Sequence, residues 1–156
     1  MFEVEVPGRG RLRLDHLVLD YNGTIARDGS LLAEAAGLIR TLAETLTVHV
    51  LTADTGGRCR ENLSDLPVTI HVLTERPEDE AKLAYLRALG PDRCAAVGNG
   101  RNDGLMLKEA ALGIAVIGDE GASPAAINAA DVVVPGIVQA LELFIHPLRL
   151  VATIRN

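Results

Sequence analysis

Apolar and charged residues alternate strictly at the start of the chain. Phe2-Glu3-Val4-Glu5-Val6 leads into a turn at Pro7-Gly8-Arg9-Gly10, and the alternation resumes through Leu12 and Leu14. Period two around a glycine-containing turn predicts an antiparallel β-hairpin over residues 1–14. The pattern then changes. Leu17-Val18-Leu19 is a continuous apolar run closed by Asp20, as in a strand covered on both faces. Similar runs are Val48 to Leu51, Val68 to Leu73, Ala95 to Val97, Gly113 to Ile117 and Val132 to Val134. Segments of helical period lie between them, from about Leu31 to Thr45, Glu78 to Leu89, Gly104 to Ala111, Pro124 to Ala129 and Gly136 to Phe144. Pro77 ahead of Glu78-Asp79-Glu80, and the pair Ser123-Pro124, mark two of the helix starts. Such alternation predicts a three-layer, Rossmann-like α/β fold with a central, mainly parallel sheet. The expected organisation is one domain over residues 1–156, with a core from 15 to 145. The gaps between polar strand ends are each about one helix long, which leaves no room for a large cap domain.

Composition and charge narrow the function classes. Only 3% of the 156 residues are aromatic while 48% are apolar, so the core must be built from Leu, Val, Ile and Ala. A formal charge of -6 argues against nucleic acid and against an anionic membrane surface, because both need clustered Lys and Arg. Cys59 and Cys94 lie far apart without metal-site spacing and read as buried free thiols of a cytoplasmic chain. No apolar run is long and uninterrupted enough to span a bilayer. His16, His49, His71 and His146 are scattered and read as structural rather than ligating.

Three apolar runs end abruptly in polar residues: Leu19-Asp20-Tyr21-Asn22-Gly23-Thr24, Leu51-Thr52-Ala53-Asp54 and Val97-Gly98-Asn99-Gly100-Arg101-Asn102-Asp103. In a parallel sheet all three fall on one edge, where α/β sites form. One strand-terminal Asp or Thr is commonly a turn residue, but three in order are harder to dismiss.

In these segments the chain resembles the haloacid dehalogenase superfamily, most closely the phosphorylation domain of P-type ATPases and their soluble relatives. The first segment is similar to the DxxGT loop, the second to the threonine-bearing second motif (TGD in the pumps, with Ala53 here for Gly), and the third to GDGxND. The similarity continues through Ala110 to Ala115 and Ala129 to Val133 and covers roughly Leu17 to Pro135. It implies a hydrolase of the phosphatase type, acting on a small phosphorylated metabolite or a nucleotide. Lidless members of the superfamily often assemble as homo-oligomers, so a homo-oligomer is expected.

The chemistry is also arguable from the residues. Asp20, at a strand end before a glycine turn, can attack a phosphoryl group and carry it as an aspartyl-phosphate. Attack of an anion on an anion needs a hard cation, and Mg²⁺ is the implied cofactor. The resemblance implies Asp20, the Asn22 backbone carbonyl, Asn99 and Asp103 as its ligands. The Thr52 hydroxyl and the backbone amides near Gly23, Thr24 and Ala53 would bind phosphate oxygens, with Asn102 holding the third loop. A lysine should complete the cradle. The spacing of the pumps lands on Glu80, whereas that of the phosphatases lands on Lys82.

Two departures from the family pattern bear on rate. Asn22 stands where typical phosphatases carry an acid/base aspartate, so hydrolysis should be slower by ~10²–10⁴, as an amide cannot shuttle the proton. Asn99 replaces an acidic metal ligand and weakens Mg²⁺ binding unless Asp103 or Asp54 compensates. A non-catalytic descendant that uses the scaffold for binding or assembly is the alternative.

Overall fold

A computed structural model describes residues 1–54 and 56–156. The amino-terminal alternation forms β1 (Phe2–Val6) and β2 (Gly10–Leu14), paired antiparallel with Phe2 opposite Leu14. One hairpin face buries Val6, Leu12 and Leu14. The other carries a ladder of ion pairs, Arg13 to Glu3 at 2.9 Å and Arg11 to Glu5 at 3.3 Å.

The chain then runs through β3 (His16–Asp20), a miniature hairpin of β4 (Ala26–Arg27) and β5 (Ser30–Leu31), α1 (Ala33–Leu42) and β6 (Thr47–Thr52). Next come α2 (Arg58–Asn62), β7 (Thr69–Val72), α3 (Glu78–Leu89), β8 (Cys94–Gly98) and α4 (Gly104–Glu109). It ends with β9 (Leu112–Val116), α5 (Pro124–Ala129), β10 (Val132–Val134), α6 (Ile137–Ile145) and α7 (Pro147–Ile154). As expected, Ser123 caps α5, accepting a hydrogen bond from the Ala125 amide.

Six strands make one parallel sheet in the order β10-β9-β8-β3-β6-β7. From β3 the chain builds outward through β6 and β7, then crosses to the other side of β3 to add β8, β9 and β10. The reversal opens a crevice at the carboxyl ends of β3 and β8, the place where open α/β sheets bind ligands. Register aligns that edge: Asp20 lies opposite Leu51, one residue before Thr52, and Leu19 lies opposite Val97, one before Gly98.

Alternation along β3 separates two cores. Leu17 and Leu19 face α1 and α6, packing with Ile39, Leu141 and Phe144, while Val18 faces α3 and α4, packing with Leu86, Met106 and Leu107. Each fully buried side chain of this size stabilises the fold by about 1.5–3 kcal/mol. Helix α4 lies very close to the sheet because β9 carries Gly113. A Cβ there would fall 2.9 Å from the Leu107 carbonyl carbon and 3.2 Å from its Cα.

The apolar faces of the terminal elements are also spent inside the domain. Phe2 meets Phe144 edge-on with ring centroids 5.4 Å apart, and Ile137, Ala140, Leu141, Leu143 and Phe144 of α6 are buried. Among the described residues no single helix is long and apolar enough to cross a membrane, and α6 and α7 are bent by 103° at their junction.

Candidate active site

Asp20 ends β3 in the crevice and is 7% exposed. Its Oδ1 accepts a hydrogen bond from Lys82 Nζ at 2.7 Å, and its Oδ2 accepts one from the Thr24 hydroxyl at 3.1 Å. The turn between them needs Gly23, which has φ +77° and whose absent Cβ would collide with the Asn99 amide. Asn99 Oδ1 lies 3.3 Å from the same Thr24 hydroxyl, and Asn99 Nδ2 donates to the Gly121 carbonyl at 2.9 Å.

Lys82 comes from α3 and is 2% exposed, with its ammonium also 2.6 Å from Asp103 Oδ1. Glu80, the other candidate position, is solvent-exposed. Asp103, 0% exposed, uses its second oxygen to accept the amides of Asn99 at 3.0 Å and Gly100 at 2.8 Å. The third loop thus folds back on its own last carboxylate. Only glycine fits at position 98, since a Cβ there would lie 2.5 Å from Asp103 Cγ.

Two carboxylates therefore share one buried ammonium, which leaves one negative charge in excess when both are ionised. Burial, and then the charge of Asp103, push the Asp20 carboxyl up to about 7; Lys82 and Thr24 offset part of that rise. Burial disfavours the Lys82 ammonium, but the two carboxylates outweigh it and hold the lysine above its ordinary value.

The remaining expected residues surround this network. Thr52 ends β6 on the same edge, buried, with its hydroxyl accepting the Asp54 amide at 3.0 Å. Ala53 is half-buried and Asn22 is exposed, bridged through its backbone to Ala26. Asn102 donates to Glu78 Oε2 at 2.7 Å. Asp54 is engaged elsewhere: its oxygens accept the amides of Gly56 at 2.8 Å and Cys59 at 3.1 Å, which hold its carboxyl below the usual range. The histidines stand apart. His16 Nδ1 and His49 Nε2 are 3.1 Å apart, and His49 Nδ1 is 2.9 Å from the Tyr85 hydroxyl. Burial, then His16, push His49 down to about 4.

Sequence reasoning missed the support beneath the loop that follows Asp20. Tyr21, 1% exposed, donates its hydroxyl to the Gly29 carbonyl at 3.0 Å and accepts Asn62 Nδ2 at 2.8 Å. Asn62 also donates to Gly29 at 3.0 Å, so the loop, the β4–β5 flap and α2 meet at one point. A tyrosine directly after the strand-terminal aspartate, in a chain with two tyrosines, was the available signal. Tyr21→Phe should lower the unfolding free energy by about 1 kcal/mol, the worth of one such hydrogen bond, and speed amide exchange in residues 26–31. Urea unfolding with hydrogen exchange checks this, and unchanged flap exchange would refute it.

No family model matches the chain. An uncharacterized protein of Methanocaldococcus jannaschii is 47% identical over 83 residues, covering 51% of this chain and 89% of that protein. Among solved structures, the cobalt-bound deoxy-D-mannose-octulosonate 8-phosphate phosphatase of Haemophilus influenzae superposes with a TM-score of 0.71 at 15% identity, over 86% of this chain and 88% of that one. The 3-deoxy-D-manno-octulosonate 8-phosphate phosphatase of Moraxella catarrhalis, in complex with magnesium ion, phosphate ion and KDO, gives 0.70 at 14% identity, over 91% and 94%. At these identities the likeness is one of fold. The chain belongs to the same family as the archaeal protein and is built on the haloacid dehalogenase-type fold that its motifs led us to expect.

Proposed function

We propose that the protein is a Mg²⁺-dependent phosphohydrolase that works through an aspartyl-phosphate on Asp20. The observation that carries this reading is the buried Lys82 ammonium between Asp20 and Asp103 at the switch point of the sheet. Burying a lysine with two carboxylates is costly for a scaffold and useful for a site that must hold a phosphoryl group.

The donors present fit a hard cation. Asp20 Oδ2 and Asn99 Oδ1 converge on one hydroxyl, and the Asn22 carbonyl lies two residues beyond Asp20. A single carboxylate with neutral oxygens is a donor set that Mg²⁺, which keeps several waters, accepts. Asp103, with both oxygens engaged, would act as the anchor of Lys82 and of the third loop and would reach a cation only by releasing one of them. When bound, Mg²⁺ would neutralise charge on the phosphoryl oxygens.

In the first step an Asp20 oxygen bonds to phosphorus as the ester P–O bond breaks, and the alcohol departs after taking a proton from water. In the second, water attacks phosphorus as the Asp20–phosphorus bond breaks, its proton neutralises the hydroxide left by the first step, and phosphate leaves with the carboxylate restored. Lys82 stays protonated throughout and balances charge at the nucleophile. Thr52, Ala53 and Asn102 would line the phosphate side. Because Asn22 supplies no proton, the second step should be slow and the phospho-enzyme long-lived, as in the P-type pump domains that the loop resembles.

Hydrolysis of an aryl phosphate, with and without Mg²⁺, tests the reading. Metal-independent turnover, or turnover that survives Asp20→Asn, would overturn it. Asn22→Asp should raise the rate with alkyl esters by ~10²–10⁴. A folded Asn22→Asp protein with unchanged turnover would show that proton transfer does not limit the reaction.

A further inference from the structure

Beside the nucleophile loop lies a cavity of about 660 Å³, a size typical of small-molecule sites. It opens between the β4–β5 flap, the first turn of α1, the loop after β9 and the start of α6. Thr24 and Gly23 form part of its wall, and the Thr24 hydroxyl donates to Asp20 Oδ2 at 3.1 Å. Its charged lining is one-sided: Glu34, Asp119 and Glu120 face it against Arg27 alone, a net of two negative charges. Arg27 is already committed, with its guanidinium 2.7 Å from Asp119. Ser30 and Gln139 add neutral hydrogen-bonding side chains.

We propose that this cavity receives the alcohol portion of the ester cleaved at Asp20, and that this portion carries hydroxyl or amino groups and no negative charge. The inference rests on the phosphohydrolase reading and deepens it. A carboxylate or further phosphate placed here would face Glu34 and Glu120 with no free cation among the described lining residues, whereas hydroxyls and ammonium groups would find acceptors. On this ground nucleoside di- and triphosphates are the disfavoured part of the substrate class drawn from the sequence. The strap that closes one side, Arg27 to Asp119, has side chains 57% and 68% exposed, and such ion pairs open readily for an entering ligand.

The test uses three size-matched esters, phosphoethanolamine, glycerol 3-phosphate and 3-phosphoglycerate, in the presence of Mg²⁺. Affinity is read by calorimetry in Asp20→Asn, which binds without turnover, and kcat/KM is read in the wild type. The expected order is cationic, then neutral, then anionic, with about tenfold in Kd per unit of charge. The double variant Glu34→Gln/Glu120→Gln should compress the series, while Glu44→Gln, beyond the far end of α1, should leave it unchanged. Equal or tighter binding of 3-phosphoglycerate, a series that persists in the double variant, or no binding of any ester would each overturn the proposal. Asp20-dependent turnover of an aryl phosphate is independent of the cavity's charge, so the phosphohydrolase reading stands or falls separately.

Discussion

Asp20→Asn should lose hydrolytic turnover by ~10⁴ or more and, above neutral pH, should be more stable than the wild type. The two effects share one cause. Burial and Asp103 raise the Asp20 carboxyl from 3.8 to about 7, so the folded protein holds a proton that the unfolded chain releases near pH 4. The stability tied to that proton is fully present below pH 4 and is lost as pH rises through 7, a swing of up to about 4 kcal/mol for a shift of this size. Asparagine cannot ionise and leaves Lys82 paired one-to-one with Asp103. At pH 8 the variant should therefore gain roughly 1–3 kcal/mol, seen as an increase of about 3–8 °C in Tm, and the gain should vanish near pH 4. Thermal melts across this range decide the matter. Parallel pH profiles for the two proteins would mean that Asp20 is not held in a charge-disfavouring site.

Removing the cation should do the opposite. Lys82→Met leaves two buried carboxylates facing one another, and breaking a buried ion pair from one side costs about 3–5 kcal/mol. A fall in Tm of about 10 °C is expected, together with loss of turnover. The double variant Asp20→Asn/Lys82→Met should recover a large part of the lost stability, because one of the uncompensated charges is gone. Strict additivity of the two single changes in urea unfolding would rule out the shared-ammonium account.

Much of this architecture was legible from local pattern. Strict alternation through Phe2 to Leu14 specified the hairpin, and the runs Leu17-Val18-Leu19 and Ala95 to Val97 specified interior strands, because a strand covered on both faces has no polar side. Helix α2 was not legible: five residues after Gly56-Gly57 are too few to show a period. Helix α7 was hidden differently. Pro147 reads as a stop for α6, and it also occupies the first turn of a new helix that leaves at a steep angle. At the site, the three strand-end segments were plain in the sequence, but the choice between Glu80 and Lys82 was not. It depends on how α3 sits against the sheet, with Leu86 inward and Lys82 one turn earlier on the same side. The Tyr21, Asn62 and Gly29 junction joins three elements across 41 positions of chain, and the tyrosine beside Asp20 does not name its partners.

Gly113 acts on the site from a distance. It is a residue of β9 without chemistry of its own, yet its bare backbone sets how far α4 can sink toward the strands. Asp103 immediately precedes that helix. A methyl group at position 113 would work as a wedge under α4, and the displacement would be levered into the loop that fastens the ammonium. The reach of Lys82 is in this sense gauged by an atom the protein leaves out ten residues downstream of Asp103.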